Sequence, residues 1–100
     1  MRLIIESYNE DEIYLFERIV KHLQSFYGYS SDQAVELINR YYLNFTDPEF
    51  CNKNGIPVQT MDFFGHIEAR GMADRVQYYE GLNNSPDEQS FIEWQRKIRN

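Results

Sequence analysis

The sequence predicts an all-α protein, a compact single domain over residues 1–100 built as a bundle of about four helices, and three observations carry that expectation. Apolar residues recur at i, i+3, i+4 and i+7 along most of the chain, the period of a helix with a buried face. Side chains suited to capping, Asn9, Ser30, Thr60 and Ser85, stand ahead of these stretches. Alternating runs that could pair as strands are missing: residues 2–7 read as a strand or as an extra helical turn, and a lone strand finds no partner. The helices are expected at approximately 10–27, 31–45, 61–80 and 86–98, with one long loop at 46–59.

The first helix opens with Asn9 as cap and Glu12 three places on, while Glu10 and Asp11 complement the positive end of the dipole. Gly28 ends it. Ile13, Leu15, Phe16, Ile19, Val20, Leu23, Phe26 and Tyr27 cover half its circumference, wider than the stripe of about 100° that a surface helix needs, so neighbours are expected on two sides. Tyr14 falls in the polar arc with Glu10, Glu17, Arg18 and Lys21.

In the second helix Ser30 and Gln33 form a capping box, and Ala34, Leu37, Ile38, Tyr41 and Phe45 keep the helical spacing. Val35 and Tyr42 are marginal, and Leu43 alone faces water. Asp47-Pro48, Asn54-Gly55 and Ile56-Pro57 then mark the loop, with room for a short helical turn around Pro48 to Cys51.

Residues 61–80 contain the segment DFFGHIEARGMADR, and its pattern is two-sided. Phe63, Phe64, Ile67, Gly71 and Tyr78 share one face; Gly65, Ala69, Met72, Ala73 and Val76 share the other, with small residues every fourth position that let another helix approach. A central helix buried on two faces is expected, with a bend at Gly71. Asp74 is then either buried beside Arg70 or Arg75, or turned out to water. The last helix starts at Ser85-Pro86-Asp87-Glu88, with Ser85 as cap, and Phe91, Trp94 and Ile98 give it one narrow apolar stripe.

Candidate chemistry is sparse. Asp62, His66 and Arg70 lie at i, i+4 and i+8, the spacing of one helical ridge, where His66 could act as a base oriented by Asp62 or share a metal with it. No HExxH motif or second ligand pair accompanies them, so a surface ladder is the preferred reading, and neither a catalytic residue, a metal nor a cofactor is expected. His22 reads as a partly buried histidine and Cys51 as a semi-buried, inert thiol. A single cysteine cannot form an internal disulfide, and Leu3, Ile4 and Ile5 are too short a run for a signal or a span; both fit a cytoplasmic protein without membrane contact.

Sixteen acids against ten bases give a net charge of −6, which disfavours direct binding to nucleic acid. Residues 1–50 hold −5 of it. Of eight tyrosines, Tyr8, Tyr14, Tyr78 and Tyr79 with the marginal Tyr42 are more than one small core readily holds, and tyrosine is a frequent interface anchor. In size, charge and compartment the chain resembles antitoxin-like and immunity proteins, which present carboxylates to the cationic site of a toxin or nuclease; the resemblance is one of character and no motif carries it. The expectation is a non-enzymatic binding module that occludes a basic protein partner through Glu10, Asp11, Tyr14, Glu17, Tyr42 and Tyr79. A homo-oligomer, dimeric in its simplest form, is the alternative, and a metal-assisted enzyme on Asp62, His66 and Glu68 the third reading.

Overall fold

Helix α1 (Glu10–Tyr27) turns Phe16, Ile19, Val20 and Leu23 inward and places Glu10, Asp11 and Glu12 in its first turn, where they offset the dipole. Gly28 takes a left-handed φ of 74°, and its N–H donates to the carbonyl of Gln24 at 3.1 Å, closing the helix. Helix α2 (Ser31–Phe45) opens on the expected box: Gln33 N–H donates to Ser30 Oγ at 3.1 Å and Ser30 N–H to Gln33 Oε1 at 3.0 Å. The turn-rich loop contains helix α3 (Pro48–Lys53), capped by Asp47 with proline in its first turn. Helix α4 (Ala69–Val76) runs into a π-helical turn (Gln77–Gly81), and α5 (Glu88–Arg99) follows. The computed structural model describes residues 10–60, 63–64 and 67–99; the readings placed on residues 2–7, Tyr8, Asn9, Asp62, Gly65 and His66 lie outside them.

The all-α expectation holds, with no strand among the described residues. Among them, no helix is long and apolar enough to cross a membrane. The core joins Phe16, Ile19 and Leu23 of α1, Ile38 and Tyr41 of α2, Met72 and Val76 of α4, and Phe64, all 2% exposed or less. Each such side chain contributes about 1.5–3 kcal/mol by leaving water. Phe16 meets both Phe64 and Tyr42 edge to face, at centroid separations of 5.7 and 6.1 Å. Ala69 and Ala73, both buried, keep the α4 surface low where it crosses α1.

Three expectations need correction. Thr60 does cap a helical turn, since Phe63 N–H donates to its Oγ1 at 3.2 Å and Phe64 N–H to its carbonyl at 3.0 Å. The segment 61–80 is nevertheless not one helix: Glu68 is extended, with ψ 153°, and helix resumes only at Ala69. Gly71 is not the site of the bend; it lies inside α4, where a Cβ would stand 3.1 Å from Ile67 Cγ2, so the glycine leaves space for the isoleucine to fold back over the first turn. Downstream, the cap of α5 is Asp87 rather than Ser85, because its carboxylate accepts from Gln89 N–H at 3.1 Å and Ser90 N–H at 3.3 Å while Ser90 Oγ donates to the second oxygen at 2.9 Å. The hydroxyl and backbone bonds from Ser90 hold the Asp87 carboxyl below the usual carboxylate range, as a charge-assisted cap should.

The third correction concerns the tyrosines. Tyr78 and Tyr79 are 8% and 4% exposed, so the core absorbs two rings counted as more than it could hold, beside Tyr41, whose burial the α2 spacing predicts. The π-turn is the reason. Leu82 N–H reaches the carbonyl of Gln77 five residues back, at 2.8 Å, and the widened turn lets two successive rings point inward.

Gly81 closes that turn against α2. A Cβ there would lie 2.6 Å from Tyr29 Oη, whose hydrogen bond to Gln77 Oε1, at 2.5 Å, also pins the Gln77 amide against the same spot. The obstructing atoms are side-chain tips that can swing aside, so Gly81→Ala should cost about 1 kcal/mol by urea denaturation, the low end of the overpacking scale. Tyr29→Phe in that background should recover part of the loss by releasing both groups; strictly additive costs would contradict the account.

Candidate functional site

The burial pattern of α1 leaves its outer arc to solvent. Glu10, Asp11, Tyr14 and Glu17 are all exposed, Tyr14 at 61%, and the Arg18 guanidinium stands 5.8 Å from the centroid of the Tyr14 ring. These four predicted contact residues share one helix face. The other two do not join them. Tyr42 is half-buried on α2 with its ring against Phe16 and Phe64, and Tyr79 is a core residue of the π-turn.

Tyr79 belongs to a second feature, a pocket of about 300 Å³ between the end of α2, the 56–59 stretch and the start of α5. Phe45, Phe63 and Tyr79 form its aromatic walls, Ile56 and Val58 add aliphatic surface, and Pro57 and Pro86 stand at its rim. Gln59 and Glu88 are the polar groups on its lining. Behind the aromatic wall lies a polar layer. Arg75 donates through Nη1 to Glu88 Oε2 at 3.0 Å and through Nη2 to Oε1, a two-pronged ion pair, and Tyr79 Oη adds a bond to Oε2 at 3.2 Å. The guanidinium is flanked by two rings, 5.1 Å from the centroid of Phe63 and 4.8 Å from that of Phe91. Tyr41 Oη donates to the buried Gln59 Oε1 at 2.6 Å.

Burial, reinforced for Tyr79 by the Glu88 charge, pushes both phenols well above their ordinary range, so each remains a protonated donor. A shallower hollow of about 230 Å³ shares Phe45, Tyr79 and Pro86 and is lined on its polar side by Asn44 and Glu80. Asn44 Nδ2 donates to Glu80 Oε1 at 3.1 Å. Burial raises the Glu80 carboxyl against the opposing effects of Asn44 and Arg40.

Sequence reasoning missed the pocket because Arg75 and Glu88 sit thirteen residues apart, on opposite sides of a loop. One signal pointed to it: the adjacent charges Asp74 and Arg75 in an otherwise apolar arc. Both are buried, at 1% and 8% exposure, and Asp74 accepts from Tyr27 Oη at 2.6 Å and Gln95 Nε2 at 3.0 Å.

The remaining candidates are dispersed. The single ridge drawn through Asp62, His66 and Arg70 required an unbroken helix, which the extended Glu68 interrupts; Asp62 and His66 lie outside the described residues. Arg70 projects over the Phe26 ring at 4.5 Å, and His22 stacks on that ring with centroids 5.5 Å apart. Cys51 is fully buried, its thiol donating to the Phe45 carbonyl at 3.4 Å, and burial followed by the nearby Asp47 charge pushes its pKa up. Among the described residues no group of three His, Cys, Asp or Glu side chains could hold a metal.

Three stability measurements check this electrostatic picture. Glu88→Ala strands a guanidinium that is 9% exposed; since the Glu88 side chain is 51% exposed, the expected loss is about 2 kcal/mol, less than for a fully buried pair. Tyr79→Phe, which removes one hydroxyl bond, should cost about 1 kcal/mol. Glu80 carries a raised folded-state pKa, so the native state holds its proton more tightly than the unfolded chain and stability falls as pH rises from the unfolded value through the folded one. Glu80→Gln should therefore raise the melting temperature at pH 7, with the gain vanishing under acid conditions; an equal gain at every pH would assign the effect to something other than ionisation.

No family model, curated protein or solved structure matches this chain, so a reading of its role rests on these surfaces.

Proposed function

We propose that this chain is a small acidic cytoplasmic binding module that inhibits a basic protein partner by covering its cationic site, the mode of action of antitoxins and immunity proteins. The supporting observation is the outer face of α1, where Tyr14 stands 61% exposed among Glu10, Asp11 and Glu17. A tyrosine in that setting combines a rigid apolar ring with a hydroxyl that accepts or donates, at the entropic cost of only two side-chain torsions. The carboxylates raise the encounter rate through their field, and ring burial slows release. The reading involves no catalytic step, no cofactor and no direct contact with nucleic acid.

The test places a photo-crosslinking phenylalanine analogue at position 14 in host cells. A covalent adduct with one basic protein is expected, and no such adduct from a probe at Asn52 on α3. Glu10→Lys, Asp11→Lys and Glu17→Lys together should slow association with that protein by roughly tenfold at low ionic strength, the difference shrinking in about 0.5 M salt. Circular dichroism must show α1 intact in this variant, because reversing first-turn acids also costs about 0.3–1 kcal/mol each through the dipole. The same adducts from both positions, or an unchanged association rate, would remove α1 as the recognition surface.

A further inference from the structure

We infer that the pocket beside the π-turn is a binding site for a compact, neutral aromatic molecule carrying one N–H or O–H donor, a ligand of indole or phenol character. The site is independent of the α1 face and adds a small-molecule ligand to the reading above. Its shape is held before any ligand arrives: Gln59 N–H donates to the Phe45 carbonyl at 2.8 Å, Pro57 and Pro86 stiffen the rim, and the π-turn fixes Tyr79. A volume of about 300 Å³ accommodates one or two fused rings. Phe45, Phe63 and Tyr79 offer π surfaces for offset or edge-on contact with an aromatic guest.

Charge narrows the class. An anion finds no free cation, since Glu88 engages both Nη atoms of Arg75 and the guanidinium is only 9% exposed, and the sequence's net charge of −6 repels it at longer range. A cation fares no better: Arg75 already neutralises Glu88 from both oxygens and stands beside the Phe63 ring, so an incoming ammonium would meet a like charge where it would seek a carboxylate and a π face. A neutral guest remains, and the carboxylate still has something to give it. Glu88 Oε2 accepts from Arg75 and Tyr79, whereas among the described residues Oε1 accepts from Arg75 alone, on a side chain that is 51% exposed. A carboxylate oxygen has two lone pairs, so Oε1 retains one acceptor position at the pocket edge. A ring seated against Tyr79 with its donor toward Oε1 satisfies both halves of the site.

The experiment titrates the full chain, labelled with nitrogen-15, with indole, 1-methylindole and tryptamine. Indole should bind saturably, with amide shifts concentrated at Ile56, Val58, Gln59 and Glu88. 1-Methylindole, which lacks the donor, should bind about tenfold more weakly, the worth of one hydrogen bond to a charged acceptor. Tryptamine, a cation at neutral pH, should also bind more weakly than indole. Val58 is 42% exposed, so Val58→Trp can fill the mouth without touching the core; it should weaken indole binding at least about tenfold while melting temperature and circular dichroism stay unchanged. Shifts that grow linearly to the solubility limit, equal affinity for indole and 1-methylindole, tighter binding of tryptamine, or indifference to Val58→Trp would each overturn the assignment. The α1 variants do not alter this pocket, so failure here and failure of partner binding are read separately.

Discussion

Helix α4 has almost no face left for water, and the fold is arranged around that constraint. Met72, Ala73, Asp74, Arg75 and Val76 are buried in succession, which carries a carboxylate and a guanidinium inside with the methionine and valine. An interior charge without partners costs several kcal/mol, so each must be met by a group from another element. Tyr27 of α1 and Gln95 of α5 reach Asp74, and Glu88 at the start of α5 reaches Arg75. Among the described residues no buried side-chain nitrogen or oxygen lacks a partner. The docking positions of α1 and α5 are thus dictated by polar demands as much as by apolar area.

Much of this was legible in the residues and some of it was not, for definable reasons. The periodicity of Phe16, Ile19, Val20 and Leu23, the box of Ser30 and Gln33, and the capping role of Thr60 depend on contacts a few residues apart, and local spacing encodes them directly. The break at Glu68 is not encoded that way. A segment with two apolar faces looks like one continuous helix because the pattern is nearly the same whether the chain continues or restarts at the extended Glu68. The π-turn is harder still, since one widened turn changes which residues face inward: Tyr78 and Tyr79 count as surplus under a strict helical period and become core under the real one. Spacing read Ser85 as the cap of the last helix, and Asp87, two residues on, takes that role with its carboxylate.

The candidate surfaces divide along the same line. The exposure of Glu10, Asp11, Tyr14 and Glu17 on α1 follows from amphipathic periodicity alone. The pocket depends on residues brought together from α2, the loop before Phe63, the π-turn and α5, a convergence that no spacing rule reaches. Only the anomaly of Asp74-Arg75 in an apolar arc hinted that a polar layer lay beneath.

The sealed environment of Cys51 has a practical meaning of its own. Its sulfur sits where α3 lies against the end of α2, fully buried and held protonated by burial. A reagent that attacks thiolates meets this atom only when α3 lifts away, so the speed at which the native protein is alkylated becomes a clock for that opening. The lone thiol thereby serves as a built-in gauge of how tightly the connector between the two halves of the chain is fastened.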